Sequence, residues 1–338
     1  MSNPSEALHG TPSSEFFGYR DITSYILGIT FEIWEQRQIE TIRDYYSEDI
    51  EVYALEGITH GAEAMVQGTI ATLESFPDRL LLGDDVIFSG NLARGFSSHR
   101  IYSPMTNAGG TLFAGATGRK VHAMNIADCE ITNGQISGEW LFRDNLALVT
   151  QLGVNPVKAA RTLAERFDDE LREWLERQRE RVARGQPEKA AKLGAARPDT
   201  FEPLARQILR ACWQSGDQGA LRGIYAPFAV LQRAPVRIFS GRDALLKHYA
   251  GFRDSFPDAQ LTVDHVCSQP FGADGQHVAA RWSVAARHRG EYAGMAPRGR
   301  PIYIVGASHW RVVGGVVVAE WTVFDELSLQ AQLLPDAG

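Results

Sequence analysis

Residues 61–84 read GAEAMVQGTIATLESFPDRLLLGD, and residues 241–264 read GRDALLKHYAGFRDSFPDAQLTVD. Laid on each other without gaps at an offset of 180, they share 8 of 24 positions: Gly61/Gly241, Ala64/Ala244, Ser75 to Asp78 against Ser255 to Asp258, Leu81/Leu261 and Asp84/Asp264. Unrelated stretches of average composition would share about one or two. Further along, the offset becomes 181, and Gly134, Glu139, Trp140 and Asp144 fall on Gly315, Glu320, Trp321 and Asp325. His99 is expected to fall on His288 once loop lengths are allowed to differ. The shared order of features indicates a duplication, with a tail at 1–18, one domain at 19–153, a charged helical linker at 154–200 and a second domain at 201–338.

Each repeat opens helically, as in SYILGITFEIWEQRQIETIRDYY and EPLARQILRACWQSGDQGALRGIY, and continues with a short extended piece and a second helix ending at the SFPD turn. Strands follow at about 80–89, 93–103, 119–132 and 135–144, with counterparts in the second repeat. Helices grouped ahead of an antiparallel sheet, without βαβ alternation, predict an α+β fold in tandem. Between the repeats, Leu163, Phe167, Leu171, Trp174 and Leu175 form the apolar stripe of an amphipathic helix with a charged outer face. Gly185, Pro187, Gly194 and Pro198 then break the helix and mark the linker.

Composition narrows the class of partner. The 338 residues carry 34 Lys and Arg against 41 Asp and Glu, a net charge of −7, so no basic field gathers phosphate backbones and nucleic acid is not expected. Cys129, Cys212 and Cys267 are far apart and form no zinc-ligand spacing, which fits a reducing compartment. MSNPSEALHGTPSSEFF has neither a basic start nor an apolar run, and no stretch approaches membrane-spanning length. A cytoplasmic protein that contacts no membrane and takes a small-molecule ligand is the expectation.

The last strand of each repeat carries the candidate chemistry. Strict alternation in QISGEWLFRD places Ile136, Gly138, Trp140, Phe142 and Asp144 on one face, and in VVVAEWTVFD it does the same for Val317, Ala319, Trp321, Val323 and Asp325. An aspartate at the end of an apolar row is desolvated, which raises its pKa toward that of a general acid or base. The alternative is that each Asp caps the following helical segment. His99 and His288 lie on strands with apolar neighbours and are further catalytic candidates. His309 shares a face with Tyr303, and its counterpart is Asp128. These three, with Trp140, Phe142 and Trp321, form the expected pocket lining. GxxxxGK[ST], GxGxxG after a strand, HExxH and GxSxG are all missing, and no metal or cofactor is expected.

HRIYSPMTNAGGTLFAGATGRKV followed by NGQISGEWLFRDNLALVTQLG resembles the signature of SnoaL-like polyketide cyclases, and HRGEYAGMAPRGRPI is a degraded version of it. The resemblance implies a nuclear-transport-factor-like α+β cone around one apolar cavity in each repeat. It also implies an aspartate at the end of the last strand, matched by Asp144 and Asp325, acting in a cofactor-free intramolecular aldol closure. Hydrolysis or isomerisation through water activated by the same Asp, or plain ligand binding, is the alternative. Domains of this type pair through the sheet, so an internal pseudo-dimer or a homodimer is expected.

Overall fold

The computed structural model describes residues 17–188 and 199–335, so residues 1–16 of the expected tail and residues 189–198 of the expected 154–200 linker lie outside the described residues. The chain forms two compact units, residues 17–143 with 148–154, and residues 144–147 with 155–188 and 199–335. Both are α+β.

In the first unit, helix α1 (Ile22–Trp34) starts at a capping box in which the Asp21 carboxylate accepts the Ser24 amide. Its buried residues Ile22, Ile26, Ile29 and Ile33 recur at helical spacing and form one inward stripe. Short α2 (Ile42–Tyr45), β1 (Glu51–Ala54), β2 (Gly57–His60) and α3 (Gly61–Ser75) follow, then β3 (Leu82–Gly90), β4 (Arg94–Thr106), β5 (Lys120–Thr132) and β6 (Gln135–Arg143). The sheet runs β2-β1-β6-β5-β4-β3, parallel only where β1 meets β6. The β5–β6 hairpin turns at Asn133 and Gly134, with φ of 51° and 80°, as its Asn-Gly pair favours.

After α4 (Asn145–Gln151), the second unit supplies α5 (Pro156–Ala164) and α6 (Asp169–Ala183). The apolar stripe expected of one helix is divided among α5, the turn that holds Phe167, and α6, because Asp168 accepts the Leu171 amide and starts a new helix. Leu163, Phe167, Leu171, Trp174 and Leu175 are all buried. The repeat then continues with α7 (Glu202–Arg210), a π-turn at Ala211–Ser215, α8 (Gln218–Ile224), β7 (Tyr225–Ala234), β8 (Arg237–Ser240) and α9 (Arg242–Ser255). Strands β9 (Gln260–Phe271), β10 (Gly275–Arg287), β11 (Pro301–Val313) and β12 (Val316–Phe324) lead to α10 (Glu326–Leu333). The sheet order, β8-β7-β12-β11-β10-β9, reproduces the first. Helix α6 packs on β9, β10 and β11, where Arg181 pairs with the buried Asp264 at 2.9 Å and donates to Ser283 at 2.9 Å. No described helix is long and apolar enough to cross a membrane.

Both final strands carry a bulge that strict alternation does not foresee. Glu130 pairs with Gly138 but Ile131 with Ile136, and Arg311 pairs with Ala319 but Val312 with Val317. One extra residue, Ser137 or Val318, therefore shifts the rest of the strand to the opposite face.

Candidate active site

In the first unit a cavity of about 390 Å³ lies between α1, α3 and the sheet, a size that suits a small organic ligand. Helix α1 lines it with Ile26, Ile29, Ile33 and Trp34, and α3 with Ala64, Met65, Gly68, Thr69 and Thr72. The small residues of α3 leave the space open, and a Cβ built on Gly68 would meet nothing within 4 Å. The sheet contributes His99, Asn125, Ala127, Cys129, Glu139, Leu141 and Arg143. Because of the bulge, the row facing the cavity beyond Ile136 is Glu139, Leu141 and Arg143, and the expected row of Trp140, Phe142 and Asp144 is not among the lining residues.

Glu139 is 4% exposed, and burial pushes its carboxyl up to about 7 against the opposing pull of Arg143. The Tyr46 hydroxyl hydrogen-bonds it, while its Oε2 has no hydrogen-bond partner among the described residues. A buried carboxylate oxygen without a donor is costly unless something else meets it. His99 is likewise buried, and desolvation lowers its pKa to about 4, so the ring is neutral at pH 7. Its Nε2 also lacks a partner among the described residues. A neutral imidazole offers one N–H and one lone pair to a ligand oxygen. Glu56 and Arg143, joined at 2.8 Å and partly exposed, also line the cavity, and Arg79 completes the charged set.

Asp144 belongs to the second compact unit. Its Oδ1 accepts the Ala147 amide at 3.0 Å, and its Oδ2 lies 3.5 Å from Arg237. Burial and then Glu326 raise its pKa. Burial also opposes ionisation of Glu326, but Arg233 and Arg237 outweigh it and hold that carboxylate charged. Asp325 accepts the Leu327 amide at 3.0 Å and the Asn145 side chain at 2.8 Å. Both aspartates thus sit at the starts of short helices, α4 and α10. Trp140 stacks on Tyr53 at 5.6 Å, and Asp128 pairs across the sheet with Trp140 on the face away from the cavity. Phe142 is buried. His309 pairs with Trp321, whose indole donates to Gln232 at 3.2 Å. Tyr303 lies against Trp174 at 5.4 Å and its hydroxyl is 3.0 Å from the Ser283 hydroxyl. His288 is buried 5.7 Å from Phe256.

The expected alignment of His99 with His288 is corrected by the strand registers. His99 faces Ala127, and 181 residues on, Ala280 faces Ser308. His288 instead makes the backbone bonds to Arg300 and Gly299 that Asn107 makes to Arg119 and Gly118.

The second unit fills the equivalent interior. Thr69, Thr72, Ile101, Cys129 and Arg143 give way to Tyr249, Phe252, Trp282, Trp310 and Phe324 at offsets of 180 or 181. Trp213 lies 4.7 Å from Phe252 and 4.5 Å from Trp282, and all three are buried. Gly306 replaces Asn125 because a Cβ there would stand 2.7 Å from the Trp282 ring. Glu320, the counterpart of Glu139, accepts hydrogen bonds from both Tyr225 and Tyr249 and from Thr322 at 2.6 Å.

Glu139, Tyr46, Arg79 and Arg143 are absent from the sequence-derived candidates. The available signal was the repeated Glu-Trp of GEW and AEW, in which Glu139 and Glu320 recur as faithfully as the two aspartates. Among the described residues, no group of three or more His, Cys, Asp and Glu side chains could hold a metal ion.

The family model for SnoaL-like polyketide cyclases matches residues 26–152 and again 203–333. Among solved structures, AclR of Streptomyces galilaeus is 27% identical over 40% of this chain and 83% of its own, with a TM-score of 0.35. IdmH of Streptomyces antibioticus is 27% identical over 40% of this chain and 98% of its own, with a TM-score of 0.34. A SnoaL-like polyketide cyclase of Agrobacterium tumefaciens is 15% identical over 40% and 99%, with a TM-score of 0.34. No curated protein matches the chain at a significant level.

Proposed function

Because the chain belongs to the SnoaL-like polyketide cyclase family, we propose that its first unit carries out a cyclase-like, acid/base reaction in the cavity under α1 and α3, with Glu139 as the proton-transfer group. The observation that carries this reading is a carboxyl with a pKa of about 7 whose free oxygen borders a cavity of ligand size. A group that titrates near the working pH is present in both protonation states and moves protons in both directions.

In ring closure of a polyketone, ionised Glu139 removes a hydrogen from the carbon next to a carbonyl, giving an enolate. The enolate carbon attacks a second carbonyl of the same molecule, and the protonated Glu139 returns its proton to the new alkoxide. Substrate and product have the same atoms, and the step consumes no further reactant. Tyr46 holds one carboxylate oxygen so that the other meets substrate, and His99 offers a neutral hydrogen-bond partner to a substrate oxygen. Ile26, Ile29, Ile33 and Leu141 give that part of the lining an apolar surface, which limits the water near an enolate.

The second unit we read as catalytically silent. Its carboxylate is saturated by two tyrosines and a threonine, and aromatic rings stand where the first unit keeps small side chains. Deuterium exchange at the α-carbon of a neutral ketone, 1-tetralone, in D2O tests the first step. Glu139→Gln should abolish the enzyme-dependent exchange, and an unchanged rate would remove Glu139 from this role.

A further inference from the structure

Arg79 follows directly on the SFPD turn. Asp78 fixes the turn by accepting the Thr106 amide and hydroxyl, each at 2.6 Å. The Arg79 backbone carbonyl is held by Arg37 at 3.1 Å. The guanidinium lines the cavity, donates its Nε–H to the Ser103 hydroxyl at 3.0 Å and lies 4.8 Å over the Trp34 ring. Neither contact supplies an anion.

Of the other charged groups lining this cavity, Arg143 is already answered by Glu56 at 2.8 Å, and Glu139 is tied to Tyr46. Burial, and then repulsion from Arg143, bring the Arg79 pKa down to about 9, with no carboxylate acting in its favour. A guanidinium in a partly desolvated cavity costs free energy unless an anion meets it, and its planar fork suits a carboxylate. The second repeat, whose interior is filled, has Ala259 at the equivalent position 180 residues on. The fold therefore does not require an arginine there.

We propose that the ligand of the first unit carries a carboxylate, and that Arg79 receives it while the ketone to be enolised lies at Glu139. This rests on the reading of Glu139 as the proton-transfer group only for the placement of the ketone; the carboxylate contact stands on Arg79 alone. Arg79 is thus the residue that selects acids over their esters.

The test uses 4-acetylbenzoate and its neutral methyl ester, with binding to the full-length protein followed by quenching of tryptophan fluorescence at pH 6, where Glu139 is largely protonated. The acid should bind about tenfold or more tighter than the ester, the range of a charge-assisted hydrogen bond. Arg79→Gln should erase that preference by weakening the acid alone, and Arg79→Lys should restore part of it. Glu139→Gln should keep the preference while losing ketone exchange. Equal binding of acid and ester to the unaltered protein, no saturable binding of the acid, or a preference that survives Arg79→Gln overturns the proposal. The comparison on the unaltered protein decides even where Arg79→Gln fails to fold. A preference that depends on Arg79, found together with full exchange in Glu139→Gln, would retain the carboxylate site and discard the catalytic reading.

Discussion

Glu139 and Glu320 occupy the same register position in their sheets, Glu139 opposite Cys129 and Glu320 opposite Trp310, yet their surroundings are opposite in kind. Tyr225, Tyr249 and Thr322 all donate to Glu320, while Glu139 has Tyr46 and an oxygen left open beside a cavity. One duplicated scaffold thus holds a saturated carboxylate in one copy and an available one in the other.

Ligand stoichiometry follows from that contrast. Calorimetric titration with 4-acetylbenzoate should give one site per chain, and Glu320→Gln should leave both its affinity and ketone exchange unchanged. Two equivalent sites would show that the second unit also takes the ligand and would contradict this contrast.

The pH dependence has a defined sign. As a base, Glu139 must be ionised, so turnover should rise through an apparent pKa of about 7. Tyr46 bonds to the ionised form and lowers that pKa, so Tyr46→Phe should move the rise to higher pH. Stability runs the other way. The folded carboxyl binds its proton more tightly than the unfolded one, so its contribution is fully present below about pH 4.5 and is lost as pH rises to about 7, at most roughly 3 kcal/mol. Denaturant melts of the protein and of Glu139→Gln, compared from pH 4 to 8, measure the difference. A parallel pair of curves would contradict the raised pKa.

Packing in the second unit is tight at Gly306. An added Cβ would meet the Trp282 ring at 2.7 Å and the Val323 carbonyl at 2.8 Å. Gly306→Ala should therefore destabilise by about 1–3 kcal/mol, the usual range for overpacking. A thermal melt equal to that of the parent would mean that Trp282 has room to rotate.

Arg181 supports a buried charge. Removing it by Arg181→Ala leaves the Asp264 side chain, which is 0% exposed, without its cation, a change worth about 3–5 kcal/mol in comparable sites. Denaturant unfolding reads the loss, and Asp264→Asn combined with Arg181→Ala should recover part of it.

Much of the fold was legible because the repeat and the periodicity agreed. Ile22, Ile26, Ile29 and Ile33 announce α1, and the SFPD turns mark the ends of α3 and α9. The site was less legible for a specific reason. A bulge at Ser137 exchanges the two faces of β6, so alternation counted through Gly138 assigned Trp140 and Asp144 to the face that Glu139, Leu141 and Arg143 hold. Gly138 within the strand is the kind of residue that marks a bulge, but the matching bulge at Val318 has no glycine beside it, so the shared pattern of the two repeats did not point to one. Arg79 was hidden differently, since a charged residue after a turn reads as solvent-facing until the helices above it are placed. His99 is a candidate on sequence grounds, and it lines the same cavity as Glu139.

Glu139, rather than Asp144, is the group proposed to move the proton. Enzyme-dependent deuterium exchange of 1-tetralone, measured side by side for Glu139→Gln and Asp144→Asn, tests it most directly, with thermal melts to show that both variants are folded. Exchange should fall about 10²-fold or more in Glu139→Gln, as expected for removal of a general base, and stay near the parental rate in Asp144→Asn. Exchange that persists in Glu139→Gln and vanishes in a folded Asp144→Asn would contradict this proposal.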